Sequence, residues 1–322
     1  MRGLFDTMQL SRSGLIAGVV WLNCLGGPLA AATITDGAGR VVKAADASRI
    51  VSIGGAVTEI LYALGYEQKI VAVDSTSLFP KRALAEKPTV GYMRQVSPEG
   101  VLGLAPSLVL AIEAAGPKDA LAVIESSNIS FVRVPDLYSG DGIVRKIRIV
   151  AAAVGAELRG NCLASAVEAD LAALAKLRAG IKESRRVLFL LSVVNGRPMV
   201  AGRNTAADGL LKLAGASNAI TEFEGYKIVN DEAIIAARPD LILAMESGPS
   251  GLTADAVFAR AAFAMTPAGE RKAFAAMDGL YLLGFGPRTA RAARDLAAQL
   301  YPAMSNAELP SDRREAADAC RP

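Results

Sequence analysis

Tyr92 and Arg94, two positions apart in Pro88-Thr89-Val90-Gly91-Tyr92-Met93-Arg94, form the pair of residues in this chain best suited to gripping a metal. Among its 322 residues there is no histidine. The commonest general base, the commonest zinc donor and the usual haem-iron donor are therefore missing. Any metal must be met by oxygen or sulfur. Phenolate is a hard oxygen donor suited to ferric iron, and tyrosine is an attested ligand of haem iron. A guanidinium close to the phenol favours its ionised form by charge. Residue chemistry alone leaves a second reading open, in which these residues make a surface turn with an ordinary tyrosine.

Hydrolytic chemistry has less to work with. The chain carries no Gly-x-Ser-x-Gly elbow, no Ser-x-x-Lys with its supporting motifs and no imidazole base. Acid pairs such as Glu222 and Glu224 could in principle serve glycoside hydrolysis, but alternating acids on a loop are usually solvated. Gly284-Phe285-Gly286-Pro287 lacks the third glycine of a dinucleotide fingerprint and follows the last expected strand.

The elements that must position Tyr92 are written as a pattern of alternating strands and helices. Strands are expected at 50–53, 70–73, 108–112 and 130–134, and again at 187–191, 198–201, 241–244 and 280–283. Helices are expected near 56–64, 98–104, 118–127 and 141–154, then near 205–214, 230–237, 254–264 and 287–300. Such alternation gives an α/β protein with parallel sheets and right-handed crossovers. Two echoes suggest that one lobe is written twice. Ser97-Pro98-Glu99 leads to Pro106 and a strand, as Asn230-Asp231-Glu232 leads to Pro239 and a strand. Arg49 to Gly55 is echoed by Met199 to Arg203, each opening a helix that ends in glycine. The repeat is far too long for a solenoid unit.

Between the halves, Glu157 to Ile181 is rich in alanine and leucine and free of proline. As one helix it would run roughly 37 Å at ~1.5 Å per residue, a strut rather than a flexible linker. The expected architecture is thus two Rossmann-like lobes with parallel central sheets, joined by one long helix, with a ligand cleft between them. The division is a leader over 1–32, a first lobe over 33–156, a connector over 157–182, a second lobe over 183–302 and a polar tail over 303–322. The turns at Gly54-Gly55 and Gly202-Arg203 would face the cleft, although each glycine could equally serve only to start a helix.

Arg2 and Arg12, the apolar run from Leu15 to Leu25, then Gly26-Gly27-Pro28 and an Ala-x-Ala site describe a secretory signal peptide, cleaved after Ala32. The apolar run is too short for a membrane span. Asn23 before Cys24 argues against lipid attachment at that cysteine. Setting aside Arg2, Arg12 and Asp6 leaves a chain close to neutral, which disfavours a nucleic-acid binder. Cys162 reads as a packed helical residue and Cys320 as part of a frayed tail, so no disulfide framework is expected.

The motifs Ile53-Gly54-Gly55-Ala56-Val57-Thr58-Glu59-Ile60-Leu61, Val90-Gly91-Tyr92-Met93-Arg94, the Glu99 and Glu232 repeats, and Met199-Val200-Ala201-Gly202-Arg203-Asn204-Thr205-Ala206 carry a resemblance. From about Arg49 to Tyr301 the chain resembles the periplasmic hemin-binding proteins of bacterial haem ABC importers, relatives of cobalamin and ferric-siderophore carriers. The resemblance implies a monomeric periplasmic binding protein, not an enzyme. Its cargo would be ferric hemin, handed to an inner-membrane ABC permease with its ATPase, without stable membrane insertion. Tyr92 would be the axial ligand of the iron, with Arg94 near the phenolate and the propionates. Met93 and Met199 could rest on the porphyrin, and Arg203 would add a propionate or lobe-closing contact. Glu99 and Glu232, one per lobe, would dock on the permease, with Glu59 a weaker third candidate. Some relatives use a histidine on the second lobe; this chain has none, which favours one five-coordinate haem over a stacked pair. The competing readings are a siderophore or cobalamin carrier on the same scaffold and an exported hydrolase.

Overall fold

The computed structural model describes residues 32–44, 46–246, 252–313 and 320. Apart from Ala32, the expected leader lies outside them. A hairpin of β1 (Ala32–Thr35) and β2 (Val41–Ala44), absent from the sequence reading, precedes the first sheet.

The first lobe runs β3 (Ile50–Ile53), α1 (Gly55–Ala63), β4 (Ile70–Val73), α2 (Arg82–Glu86), α3 (Pro98–Leu102), β5 (Leu108–Ile112), α4 (Lys118–Glu125), β6 (Ser130–Val134) and α5 (Gly140–Ala153). Its sheet is all parallel in the order β4-β3-β5-β6. β3 and β5 are buried along their whole length, as continuous Ile/Val/Leu runs covered on both faces require. All four strands fall where the sequence reading put them.

The connector is α6 (Glu157–Arg178), 22 residues and roughly 33 Å at ~1.5 Å per residue. Glu157 in its first turn and Lys176 and Arg178 in its last complement the helix dipole. It is tied to both lobes in the same way. Arg159 donates to the carbonyl of Leu64 just past α1, and Arg178 donates to the carbonyl of Lys212 near the end of the next helix. Each arginine satisfies a helix-terminal carbonyl that has no partner within its own helix.

The second lobe runs β7 (Arg186–Val194), β8 (Arg197–Ala201), α7 (Ala206–Leu213), β9 (Ser217–Asn218), β10 (Tyr226–Ile228), α8 (Asp231–Ala237), β11 (Leu241–Glu246), α9 (Ala254–Phe258), α10 (Ala261–Ala264), α11 (Pro267–Glu270), β12 (Phe274–Asp278), α12 (Gly279–Leu283) and α13 (Thr289–Leu300). Its parallel core of β7, β11 and β12 is extended by β8 and β10, both antiparallel to their neighbours. Asn195-Gly196, each at positive φ, closes the β7–β8 hairpin. This hairpin breaks the second echo, because β3 sits inside its sheet and β8 lies antiparallel to β7. The first echo holds: α3 leads into β5 as α8 leads into β11. Ser97 and Asn230 cap these two helices by accepting from the Gly100 and Ala233 amides.

Residues 280–283 are helical rather than extended, and the strand is 274–278. A short apolar run does not declare its period, and here the Asp278 carboxylate caps the Tyr281 amide at 2.8 Å. The expected helix over 254–264 is two short helices.

The tail also differs from expectation, because residues 302–313 pack as two short 3₁₀ turns with Met304 and Leu309 buried. The Ser311 amide donates to buried Asp170 on α6 at 2.9 Å, and Asp312 pairs with Arg291 and Arg294 on α13. Cys162 and Cys320 form a disulfide across 158 residues. Sparse apolar residues disguised this segment, which is held by hydrogen bonds and ion pairs to α6 and α13 as well as by Met304 and Leu309.

Candidate functional site

The site is assembled at the C-terminal ends of the first sheet, where ligands of open α/β sheets bind. β3 ends at Ile53 and the chain turns through Gly54, at φ +117°, into α1. A Cβ at Gly54 would stand 2.9 Å from that of Ile112, and one at Gly55 would stand 2.2 Å from the carbonyl oxygen of Thr76. Both glycines are therefore demanded by close approach. Buried Asp74, just past β4, accepts from the Gly54 amide at 2.8 Å and from the amide and hydroxyl of Thr76 at 2.9 and 2.6 Å. Thr76 in turn accepts from the Gly55 amide at 3.0 Å. One carboxylate thus fixes the rim.

The Tyr92 segment hangs on that rim. Residues 88–90 run beside β4, with the Val73 amide donating to Pro88 at 3.0 Å and the Val90 amide to Val73 at 2.9 Å. The Ser75 amide donates to Gly91 at 2.8 Å, and a turn closes from the Gln95 amide to the Tyr92 carbonyl at 2.8 Å. On the far side, the Gly116 amide holds the Met93 carbonyl at 2.9 Å. Gly91, at φ +88°, makes the bend that a side chain would resist.

Tyr92, Met93 and Arg94 line one wall of an interlobe cleft of about 520 Å³, together with Gly54 and Gly55. Leu191, Ala206, Tyr226, Met245 and Leu283 face it from the second lobe. Arg94 Nη1 donates to the Tyr92 hydroxyl at 2.7 Å. Tyr92 is 39 % exposed. Two other tyrosines border the cleft, and both are held as neutral phenols. Tyr138 is pushed well above the ordinary phenol range by burial and by Asp136, whose carboxylate accepts its hydroxyl at 3.2 Å. Burial likewise raises Tyr226, against weaker opposing hydrogen bonds from Ala207 and Thr205. Of the three, Tyr92 is the one with an open hydroxyl beside a cation. Among the described residues no group of three His, Cys, Asp or Glu side chains could hold a bare metal ion. A lone phenolate suffices where the ligand brings its own chelate.

Three anticipated residues lie elsewhere. Arg203 is outside the cleft lining: its backbone pairs with Phe223 and Gly225, and its guanidinium faces Glu224 at 3.8 Å. Met199, on β8, is also outside the lining. Glu59 is buried rather than displayed, and Arg288 of the second lobe grips its carboxylate at 3.0 Å. Glu99 and Glu232 are both exposed, each at the second position of its helix, α3 or α8. Glu99 is held below the usual carboxylate range by its own amide and the Ser97 hydroxyl.

The sequence reading missed Asp74, Asp136, Tyr138, Lys146 and Tyr226. Lys146, on α5, is fully buried. Its ammonium lies 3.1 Å from Asp136 and 3.4 Å from the Gly284 carbonyl oxygen. Burial lowers its pKa, and Asp136 opposes that shift.

Two α/β lobes on one helical strut, with a cleft between the sheets, define a two-lobed binding protein. The profile of the family described as periplasmic binding protein matches residues 50–279, and the chain belongs to that family. It is similar to the periplasmic heme-binding protein RhuT from Roseiflexus sp. RS-1 in apo form, at 40 % identity and a TM-score of 0.75, over 80 % of this chain and 100 % of that one. It is also similar to the periplasmic heme-binding protein BhuT in complex with two hemes, at 35 % identity and a TM-score of 0.74, over 80 % and 98 % of the two chains. Among curated proteins, the ABC transporter substrate-binding lipoprotein YvrC of Bacillus subtilis (strain 168) is 28 % identical over 274 residues, covering 84 % of this chain and 85 % of that one. The chain is a binding protein, not an enzyme.

Proposed function

We propose that this protein captures ferric hemin in the interlobe cleft, as an exported monomer, and delivers it to an inner-membrane ABC permease. The observation that carries the reading is the 2.7 Å contact from Arg94 to Tyr92 at the open wall of a largely apolar cleft. Tyr92 would give the iron its one protein ligand. Arg94 would compensate the phenolate and pair with a propionate, since its fork suits carboxylates. Met93, Leu191, Leu280 and Leu283 supply apolar contact for the porphyrin. With no histidine in the chain to ligate from the second lobe, a single haem is favoured. Glu99 and Glu232 would be the permease contacts, one per lobe in matching cap positions. The Cys162–Cys320 disulfide suits an oxidising compartment.

A visible-absorption titration with hemin tests the reading, run beside cyanocobalamin and a ferric siderophore. Expected is saturable binding of hemin alone, with the bands of tyrosinate-ligated ferric haem, and loss of those bands in Tyr92→Phe. Tight cobalamin or siderophore binding without hemin binding would overturn it.

A further inference from the structure

The segment Gly284-Phe285-Gly286-Pro287-Arg288, between α12 and α13, belongs to the second lobe but makes several of its contacts with the first. Lys146 of α5 reaches the Gly284 carbonyl at 3.4 Å. Phe285 is fully buried and meets the edge of the Tyr138 ring at 5.3 Å between centroids. It does so at φ +49°, a conformation that a bulky residue adopts only when its surroundings enforce it. A Cβ on Gly286 would stand 3.3 Å from the Glu59 carboxylate. Arg288 closes the series. Its backbone amide, Nε and Nη2 donate to the two oxygens of Glu59 at 3.2, 3.1 and 3.0 Å. Its guanidinium also lies 3.5 Å from the centroid of the Phe79 ring and 5.1 Å from that of Tyr281.

Neighbouring packing leaves this contact no slack. Gly209 of α7 lets both lobes close on it, for a Cβ there would stand 2.6 Å from the Tyr138 carbonyl oxygen and 2.9 Å from Phe285. Gly55, on the cleft wall, admits Leu280 of α12 in the same way. Gly284 lines the cleft and the four residues after it lie outside its lining, the segment being held by two buried side chains of the first lobe, Glu59 and Lys146. Separating the lobes here would strand Glu59 away from its cation, which a protein interior strongly resists.

We propose that residues 284–288 form an interlobe latch, with Glu59 and Arg288 as positioning residues that set the aperture of the cleft, and that cargo leaves when the latch is undone. The release half of this inference rests on the hemin reading; the aperture half does not. The latch explains how a chain whose connector is already a rigid strut also fixes the width of its mouth.

The test uses the mature protein with nitroxide labels at Ala122→Cys on α4 and Ala256→Cys on α9, both exposed positions. Distances come from pulsed dipolar spectroscopy, and hemin loss from transfer to excess apomyoglobin. The neutral pair Glu59→Gln with Arg288→Met removes the latch charges without stranding either ion. Expected is one narrow distance in the unmodified protein, with or without hemin. In the neutral pair the apo distances should broaden toward longer values, and hemin transfer should quicken at least ~10-fold, a change of about 1.4 kcal/mol. Unchanged distances overturn the latch, even if hemin leaves faster. Broadened distances with unchanged transfer overturn its role in release. If the neutral pair does not fold, Arg288→Lys carries the same test, because the buried carboxylate keeps a cation but loses the fork. Should hemin not bind the unmodified protein at all, the functional reading falls, while the apo distances still decide the latch.

Discussion

The two lobes share a scaffold and divide the chemistry unequally. Each has a parallel sheet core, a capped helix with an exposed glutamate at its second position, and an arginine of α6 tied to a helix end. The first lobe brings to the cleft a phenol paired with a guanidinium, on a loop braced by a buried carboxylate. The second brings leucine, alanine, methionine and a half-buried tyrosine. What the lobes have in common is the sheet core and a capped helix that exposes one acid each. The phenol–guanidinium pair has no counterpart in the second lobe's share of the lining. The second lobe's share of the cleft lining is mostly apolar.

Breaking that contrast should be easiest at the shared feature. Glu99→Ala with Glu232→Ala should abolish hemin uptake in cells while leaving hemin affinity of the purified protein unchanged; each single change should reduce uptake only in part. Equal uptake by the double variant would remove the docking assignment. At the unshared feature, Tyr92→Phe should weaken hemin binding at least ~100-fold, about 2.8 kcal/mol, whereas Tyr226→Phe on the opposite wall should cost less than ~10-fold. Comparable losses at the two positions would mean that both lobes ligate.

A subtler separation concerns stability. Cys162→Ser with Cys320→Ser should lower unfolding free energy by about 2–5 kcal/mol in urea titrations, because a loop of this length is freed in the unfolded chain. Hemin affinity should stay within twofold, since the disulfide lies outside the cleft lining. The smallest effect is alkaline. Tyr138 and Tyr281 have folded pKa values raised above the ordinary phenol value by burial and by Asp136 and Asp295. Their contribution is therefore intact below ~10, the unfolded value, and is lost as pH climbs beyond it. Tyr138→Phe should flatten that decline in unfolding free energy measured between pH 9 and 11; an unaltered slope would exclude Tyr138 as a source.

Much of this was legible in the residue order, and the exceptions have physical causes. Strands β3, β4, β5 and β6 were readable because buried parallel strands are unbroken apolar runs bounded by turns. The run Leu280-Tyr281-Leu282-Leu283 misled because four residues cannot show whether their period is 2 or 3.6. Arg203 looked like a cleft residue by analogy with the glycine turn of the first lobe, but the β7–β8 hairpin carries it to Glu224 instead. Glu59 entered as a docking candidate through the resemblance alone, yet every residue of helix α1 is buried.

The order of residues by itself determined the alternation that builds two sheets, the strut between them, the absence of imidazole, and the pairing of Tyr92 with Arg94, because these depend on composition and on neighbours within a few positions. Tertiary structure alone decided which tyrosine stands open, which carboxylate is clamped and which cysteines join. Those outcomes depend on burial and on partners such as Glu59 and Arg288, 229 residues apart, and no local pattern encodes a distance across space.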